Sequence, residues 1–149
     1  YKRQKYPKTD CEVSVLHGSA IFIKKENFFK LNGFDERIFL YHDDDDISIR
    51  LKREIGPLMY INNSEIVHLA GRSSSRDKEI ASIKGYHMGR SRVCMQGKHK
   101  ISGYKFRNII FAIFQLFSLE MIFSSRKRIK YIFFAKGVFE EIFTNKKNQ

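Results

Sequence analysis

Apolar and polar positions change their rhythm several times along the chain. Residues 13–23 form an apolar run interrupted by Gly18-Ser19, which predicts a buried strand broken at that pair. Residues 26–31 predict a short helix with Gly33 as its stop. Over residues 43–55, Ile47, Leu51 and Ile55 recur at every fourth position, giving a helix with one apolar stripe, and Gly56-Pro57 ends it sharply. Residues 58–61 and 65–69 read as two short strands around the turn Asn62-Asn63. Gly71-Arg72-Ser73-Ser74-Ser75 is a loop by composition. Beyond it the pattern is helical: a basic helix over 77–98, a strongly apolar one over 106–123 and a basic amphipathic one over 126–143. A boundary near residue 76 therefore separates an α/β part, 1–76, from a basic helical tail, 77–149, and there is no internal repeat.

Composition allows one domain with a modest core, since 42% of the 149 residues are hydrophobic and no segment is low in complexity. Cys11 and Cys94 lie far apart without a CxxC spacing, which predicts two reduced thiols in a cytoplasmic protein. The first residue is Tyr1, and residues 1–10 are polar and basic with no apolar stretch. These residues predict no signal peptide here, and a first residue other than Met predicts a further segment upstream. Charge changes the picture more. Residues 1–83 carry 14 Lys and Arg against 13 Asp and Glu, whereas residues 84–149 carry 14 against 3. Nearly all of the net +12 sits in the tail, which points to a polyanionic partner, nucleic acid or an anionic membrane. Nucleic acid is disfavoured: there is no finger, recognition-helix or RNP pattern, the aromatics lie in apolar runs, and the four aspartates at 43–46 would repel it.

Those aspartates, Asp43 to Asp46, are the main chemical candidate. Carboxylates in the first turn of a helix complement its exposed N–H groups and dipole, which accounts for one or two of them. Four adjacent like charges repel unless a cation or a reactive hydroxyl uses them. A calcium loop starting at Asp43 fails, because Ile47 and Ser48 stand where an oxygen ligand and a glycine are needed. His68, at the end of the predicted strand 65–69, is the second candidate, and a lone histidine there is commonly structural.

In order along the chain, these pieces resemble the second half of family 2 glycosyltransferases of the GT-A type, especially bacterial rhamnosyltransferase-like enzymes. His17-Gly18-Ser19-Ala20 resembles the family's small-residue turn after a core strand. Leu31-Asn32-Gly33-Phe34-Asp35-Glu36 resembles its vGGFDE element, with Asn32 for the first Gly. The run from Phe39 to Arg50 resembles FxYxEDxDLxxR, with Asp43-Asp44 for the usual Glu-Asp. Ile66-Val67-His68 with Gly71 and Ser73 resembles vxHxxgxS, and Tyr86, Arg90-Ser91-Arg92 and Lys136-Gly137 resemble later elements. The resemblance covers roughly residues 13–140 and is most specific over 31–73.

It implies the C-terminal portion of a Rossmann-like GT-A domain followed by a membrane-associating helical tail. It implies an inverting transfer from a nucleotide-sugar donor to a saccharide or lipid-linked acceptor in cell-surface polysaccharide synthesis, at the cytoplasmic side of the membrane. Asp44 would be the base and Asp43 its less certain neighbour. Asp46 and Tyr41 would meet the acceptor, and Phe34 would help shape the pocket or pack in the core. His68 would contact a divalent cation, Mg²⁺ or Mn²⁺, and Arg72 and Ser73 the diphosphate. The nucleotide-binding half with its metal-binding DxD is not among these residues, so a separate half chain is an expected partner and this chain alone is expected to be inactive.

In the tail, residues 109–123 are apolar apart from Gln115, Ser118 and Glu120. Lys98, Lys100, Lys105 and Arg107 precede them, and Arg126, Lys127, Arg128 and Lys130 follow. An interfacial helix on an anionic leaflet fits best, with a buried helix or a membrane span as the other readings. Two further functions stay open at this stage: a basic binding module without activity, and a truncated product without turnover.

Overall fold

A computed structural model describes residues 7–68, 75 and 77–144. The chain divides into two compact units, one of Tyr1–Phe34 with Asp44–Ala70, the other of Asp35–Asp43 with Gly71–Gln149.

In the first unit, strand β1 (Cys11–Val13) pairs antiparallel with β2 (Leu58–Tyr60), placing Cys11 opposite Tyr60 and Val13 opposite Leu58. The strand expected over residues 13–23 is not formed: the ladder ends at Val13, and the chain turns at His17, whose carbonyl accepts the Ala20 N–H at 3.1 Å. Apolar content signals burial rather than a ladder partner. Leu16, Ile21 and Ile23 do pack against the core of Leu31, Ile47, Leu51 and Leu58, while Val15 and Phe22 face solvent. Residues 65–68 are likewise not a strand, because among the described residues no strand pairs with them, and Ile66 and Val67 are exposed.

Helix α1 (Lys25–Lys30) is closed by Asn32 and Gly33, both left-handed at φ 57° and 68°, with the Gly33 N–H on the Phe28 carbonyl at 3.0 Å. Asparagine tolerates this conformation best after glycine, which explains Asn32 at a position where the resembling motif has Gly. Helix α2 (Asp43–Glu54) buries Ile47 and Leu51 along the expected stripe.

The second unit is helical. Helix α3 (Lys78–Lys98) is capped by Asp77, whose carboxylate accepts the Ile80 N–H at 2.8 Å. Helices α4 (Tyr104–Leu116), α5 (Glu120–Phe123) and α6 (Ser125–Thr144) follow. The single apolar helix expected over 106–123 is thus split. The Phe117 and Ser118 N–H groups close tight turns onto Phe114 and Gln115 at 3.2 Å, where the polar Gln115, Ser118 and Glu120 interrupt the run. No helix among the described residues is long and apolar enough to cross a membrane.

Helices α3 and α6 touch backbone to backbone. A Cβ at Gly85 would lie 2.3 Å from the Lys130 carbonyl oxygen, one at Gly89 2.3 Å from that of Phe134, and one at Gly137 2.1 Å from that of Tyr86. Val93, Ala112, Phe134, Val138 and Ile142 form the core beside this contact. Cys11 and Cys94 are both free thiols.

Candidate functional site

The turn at residues 17–19 gathers two of the expected site residues. From α2, Asp44 Oδ2 accepts the Gly18 N–H at 2.9 Å, and its Oδ1 accepts the Asp45 N–H at 3.0 Å. A Cβ at Gly18 would stand 3.2 Å from Asp44 Oδ2, so the absence of a side chain lets the carboxylate sit this close. The Leu16 N–H donates to Ser48 Oγ at 2.9 Å, a second tie between this segment and α2. From the segment after β2, the His68 ring meets the His17 ring edge-on, with centroids 6.2 Å apart.

His17 was not singled out in the sequence. Its Nδ1 accepts the Ser19 N–H at 3.2 Å and lies 2.7 Å from Ser19 Oγ. An accepting Nδ1 puts the neutral ring's proton on Nε2. The signal that would have found it is the His-Gly-Ser turn itself, one step before the glycine that Asp44 binds. The arrangement offers a carboxylate fixed by two N–H groups and two exposed imidazoles, one on the turn and one packed against it. Such a set can accept a proton from a hydroxyl and donate hydrogen bonds to an oxyanion.

The other expected residues fare differently. Asp46 is 1% exposed. Its Oδ2 takes Arg50 Nε at 2.8 Å and stands 2.8 Å from Arg50 Nη2, and Arg50 Nη1 donates to the Leu31 carbonyl at 2.8 Å. The acceptor-binding role expected for Asp46 is therefore replaced by a structural one, since a carboxylate sealed in an ion pair offers no oxygen to a substrate. Asp43 opens α2 and is half-buried. Tyr41 is half-buried, and burial raises its phenol above the ordinary value, so the hydroxyl stays protonated. Tyr41 and His42 carry consecutive left-handed backbones, φ 65° and 64°. Such strain costs on the order of 1–3 kcal/mol per residue and collects at functional segments. Arg72 and Ser73 lie outside the described residues.

Among the described residues no three His, Cys, Asp or Glu side chains are grouped where they could together hold a metal ion.

Phe34 is partly exposed and packs edge-on against Phe28, centroids 5.6 Å apart. In the second unit, the Asp35 carboxylate takes Arg37 Nη2 and Lys98 Nζ, each at 2.7 Å, and these two cations hold it well below the usual carboxylate range. Nearby, Arg90 Nε pairs with Glu141 at 3.1 Å and Tyr86 donates to Glu140 at 2.8 Å. The Asp of the Phe34-Asp35-Glu36 element thus clamps the segment before α2 to α3.

Over half its length the chain is similar to rhamnosyltransferases. Two relatives from Mycobacterium tuberculosis, strains CDC 1551 / Oshkosh and ATCC 25618 / H37Rv, are each named N-acetylglucosaminyl-diphospho-decaprenol L-rhamnosyltransferase. Each is 30% identical over 77 residues, which cover 52% of this chain and 25% of the relative. The chain thus spans about a quarter of the length of the relatives it matches. No family model matches, and no solved structure does. The similarity supports a relationship to glycosyltransferases; the relatives' sugar and lipid acceptor are theirs.

Proposed function

We propose that this chain supplies the acceptor side of an inverting glycosyl transfer, with Asp44 as the general base. The observation that carries the reading is the fixing of the Asp44 carboxylate on the Gly18 N–H, at a turn that carries His17, whose ring meets that of His68. A carboxylate has about four lone-pair positions. The Gly18 and Asp45 N–H groups take one on each oxygen, which orients the group and leaves lone pairs for an acceptor hydroxyl.

As the hydroxyl oxygen bonds to the anomeric carbon of a nucleotide sugar, the bond to the nucleoside diphosphate breaks. The hydroxyl proton passes to Asp44, and the diphosphate departs with the electron pair. In this reading the His17 and His68 rings, which meet edge-on beside the same turn, would donate to the developing anion. A divalent cation, if bound by other residues, would neutralise the leaving diphosphate. The acceptor in this reading is a saccharide or lipid-linked saccharide of the cell surface, the donor a nucleotide sugar, and rhamnose the sugar to try first.

The test is a chimera that places the donor-binding half of the related rhamnosyltransferase ahead of this chain, assayed for transfer to a lipid-linked acceptor. Asp44→Asn keeps an oxygen for the Gly18 N–H but loses basicity. Turnover is expected to fall by roughly 10²–10⁴ with nucleotide-sugar binding unchanged. If Asp44 merely ties the turn to α2, the asparagine variant will turn over at the parent rate, and the proposal fails.

A further inference from the structure

Helix α4 carries large apolar side chains on two opposite sides, yet protein covers only one of them. Asn108 and Ala112 are buried, with Ile109, Phe111 and Leu116 packed toward the core of the helical unit. On the opposite side Phe106, Ile110, Ile113, Phe114 and Phe117 follow one another at helical spacing and are exposed, Phe114 by 74% and Phe117 by 84%. The face continues past the break through Leu119, Ile122 and Phe123, all exposed. A soluble helix of this kind ordinarily has a polar outer face, and an apolar one requires a partner.

The charges around the face say which partner. Lys105 and Arg107 stand exposed at its start and Arg126 and Arg128 just beyond its end. Glu120, the one acidic residue within it, is already engaged by Lys127 and Tyr131. A second copy of this face would bring the same cations together, whereas an anionic lipid surface matches both its apolar centre and its basic ends. Length excludes a crossing: the 13 residues of α4 reach about 20 Å, against the ~30 Å of a bilayer core.

We propose that α4 and α5 lie in the plane of an anionic leaflet, with Phe106, Phe114, Phe117 and Phe123 among the acyl chains and the flanking arginines and lysines at the phosphates. The proposal goes beyond the assignment of Asp44 and does not depend on it, since lipid binding is measured without any sugar transfer.

The chain has no tryptophan, so Phe117→Trp supplies a single reporter. On vesicles of phosphatidylcholine mixed with phosphatidylglycerol, its emission is expected to shift to the blue and to be quenched by acyl chains brominated near the interface. Phosphatidylcholine alone is expected to produce neither change, and added salt to reverse both. Vesicle co-sedimentation of the otherwise native chain gives the affinity. Phe114→Ser with Phe117→Ser is expected to weaken it on the order of a hundredfold, and Arg126→Gln with Arg128→Gln by roughly tenfold or more. These four side chains are exposed or rim positions, and an unchanged circular-dichroism melt verifies each fold. If the reporter's emission is already blue without lipid, the face is covered by protein and the proposal is overturned. Equal binding to neutral and anionic vesicles, or serine variants that bind like the parent, would overturn it too.

Discussion

Asp44 and Asp46 are two residues apart and chemically identical, yet their surroundings differ, Asp46 being sealed against Arg50 and Asp44 held on the Gly18 N–H, and stability measurements separate the two. Asp46→Asn removes the negative charge facing Arg50, which is itself only 6% exposed. The guanidinium keeps the Leu31 carbonyl as a partner but loses its counter-charge in a water-poor site. Breaking a buried pair from one side costs about 3–5 kcal/mol. The unit that contains it has about 60 residues, for which total stability is roughly 3–9 kcal/mol, so the variant should sit near its unfolding threshold. At about 4–8 °C per kcal/mol, its melting temperature should fall by roughly 12 °C or more. Asp44→Asn, on a half-buried side chain that keeps an acceptor oxygen for Gly18, should cost about 1 kcal/mol. Urea unfolding gives the two free energies, and hydrogen exchange of the α2 amides assigns the loss to the first unit. Asp46→Leu combined with Arg50→Met should recover much of the loss, because an apolar pair leaves no buried charge behind, although the Leu31 carbonyl still loses its donor. If Asp46→Asn lowers α2 protection no more than Asp44→Asn does, the division between a structural and a presented aspartate is wrong.

Two further outcomes follow from the helical unit. Arg37 and Lys98 depress Asp35 in the folded state, so its stabilising contribution is present above its ordinary value of 3.8 and is lost as pH falls below it. Acid titration of the melting temperature should therefore show a decline from pH 3.8 downward that Asp35→Asn largely lacks; parallel curves would refute the assignment. At the α3–α6 contact, Gly89→Ala forces a methyl to within 2.3 Å of the Phe134 carbonyl oxygen, so the helices must part. A cost of about 1–3 kcal/mol is expected, and an unshifted melt would show that the contact is looser than the structure has it.

What the sequence disclosed and what it hid divide along a physical line. The spans of α2, α3 and α6 were legible because each combines helical spacing with a local start or stop, such as Asp77 before α3 and Gly56-Pro57 after α2. The strands extend less far than the apolar pattern because a ladder needs a neighbour, and among the described residues, 14–23 and 65–68 have the apolar content of strands without one. The break after Leu116 was hinted at by Gln115, Ser118 and Glu120 but not placed by them. Long-range partners were invisible: nothing local in Asp35 announces Lys98, 63 positions on, and nothing in Gly137 announces the Tyr86 backbone. Asp44 and His68 stand out only through the order of several weak motifs, whereas nothing but its place in the His17-Gly18-Ser19 turn marks the His17 ring.

The run of four aspartates itself takes on a different meaning once the helix is seen. Successive residues of a helix are turned by roughly 100°, so side chains at four adjacent positions point all round the axis and cannot share one ligand. Repulsion among them argued for a cation or a reactive hydroxyl, but it is relieved piecemeal. All four occupy the first turn of α2, where the helix dipole and unpaired N–H groups favour negative charge. Asp46 is turned inward onto Arg50, and Asp44 is turned onto the Gly18 N–H. Charge density at this helix start therefore needs no metal to explain it, and it gives no vote to all four residues alike. The case for chemistry narrows to Asp44, the aspartate whose carboxylate binds the turn that carries His17, against which His68 packs, and it stands or falls on that residue alone.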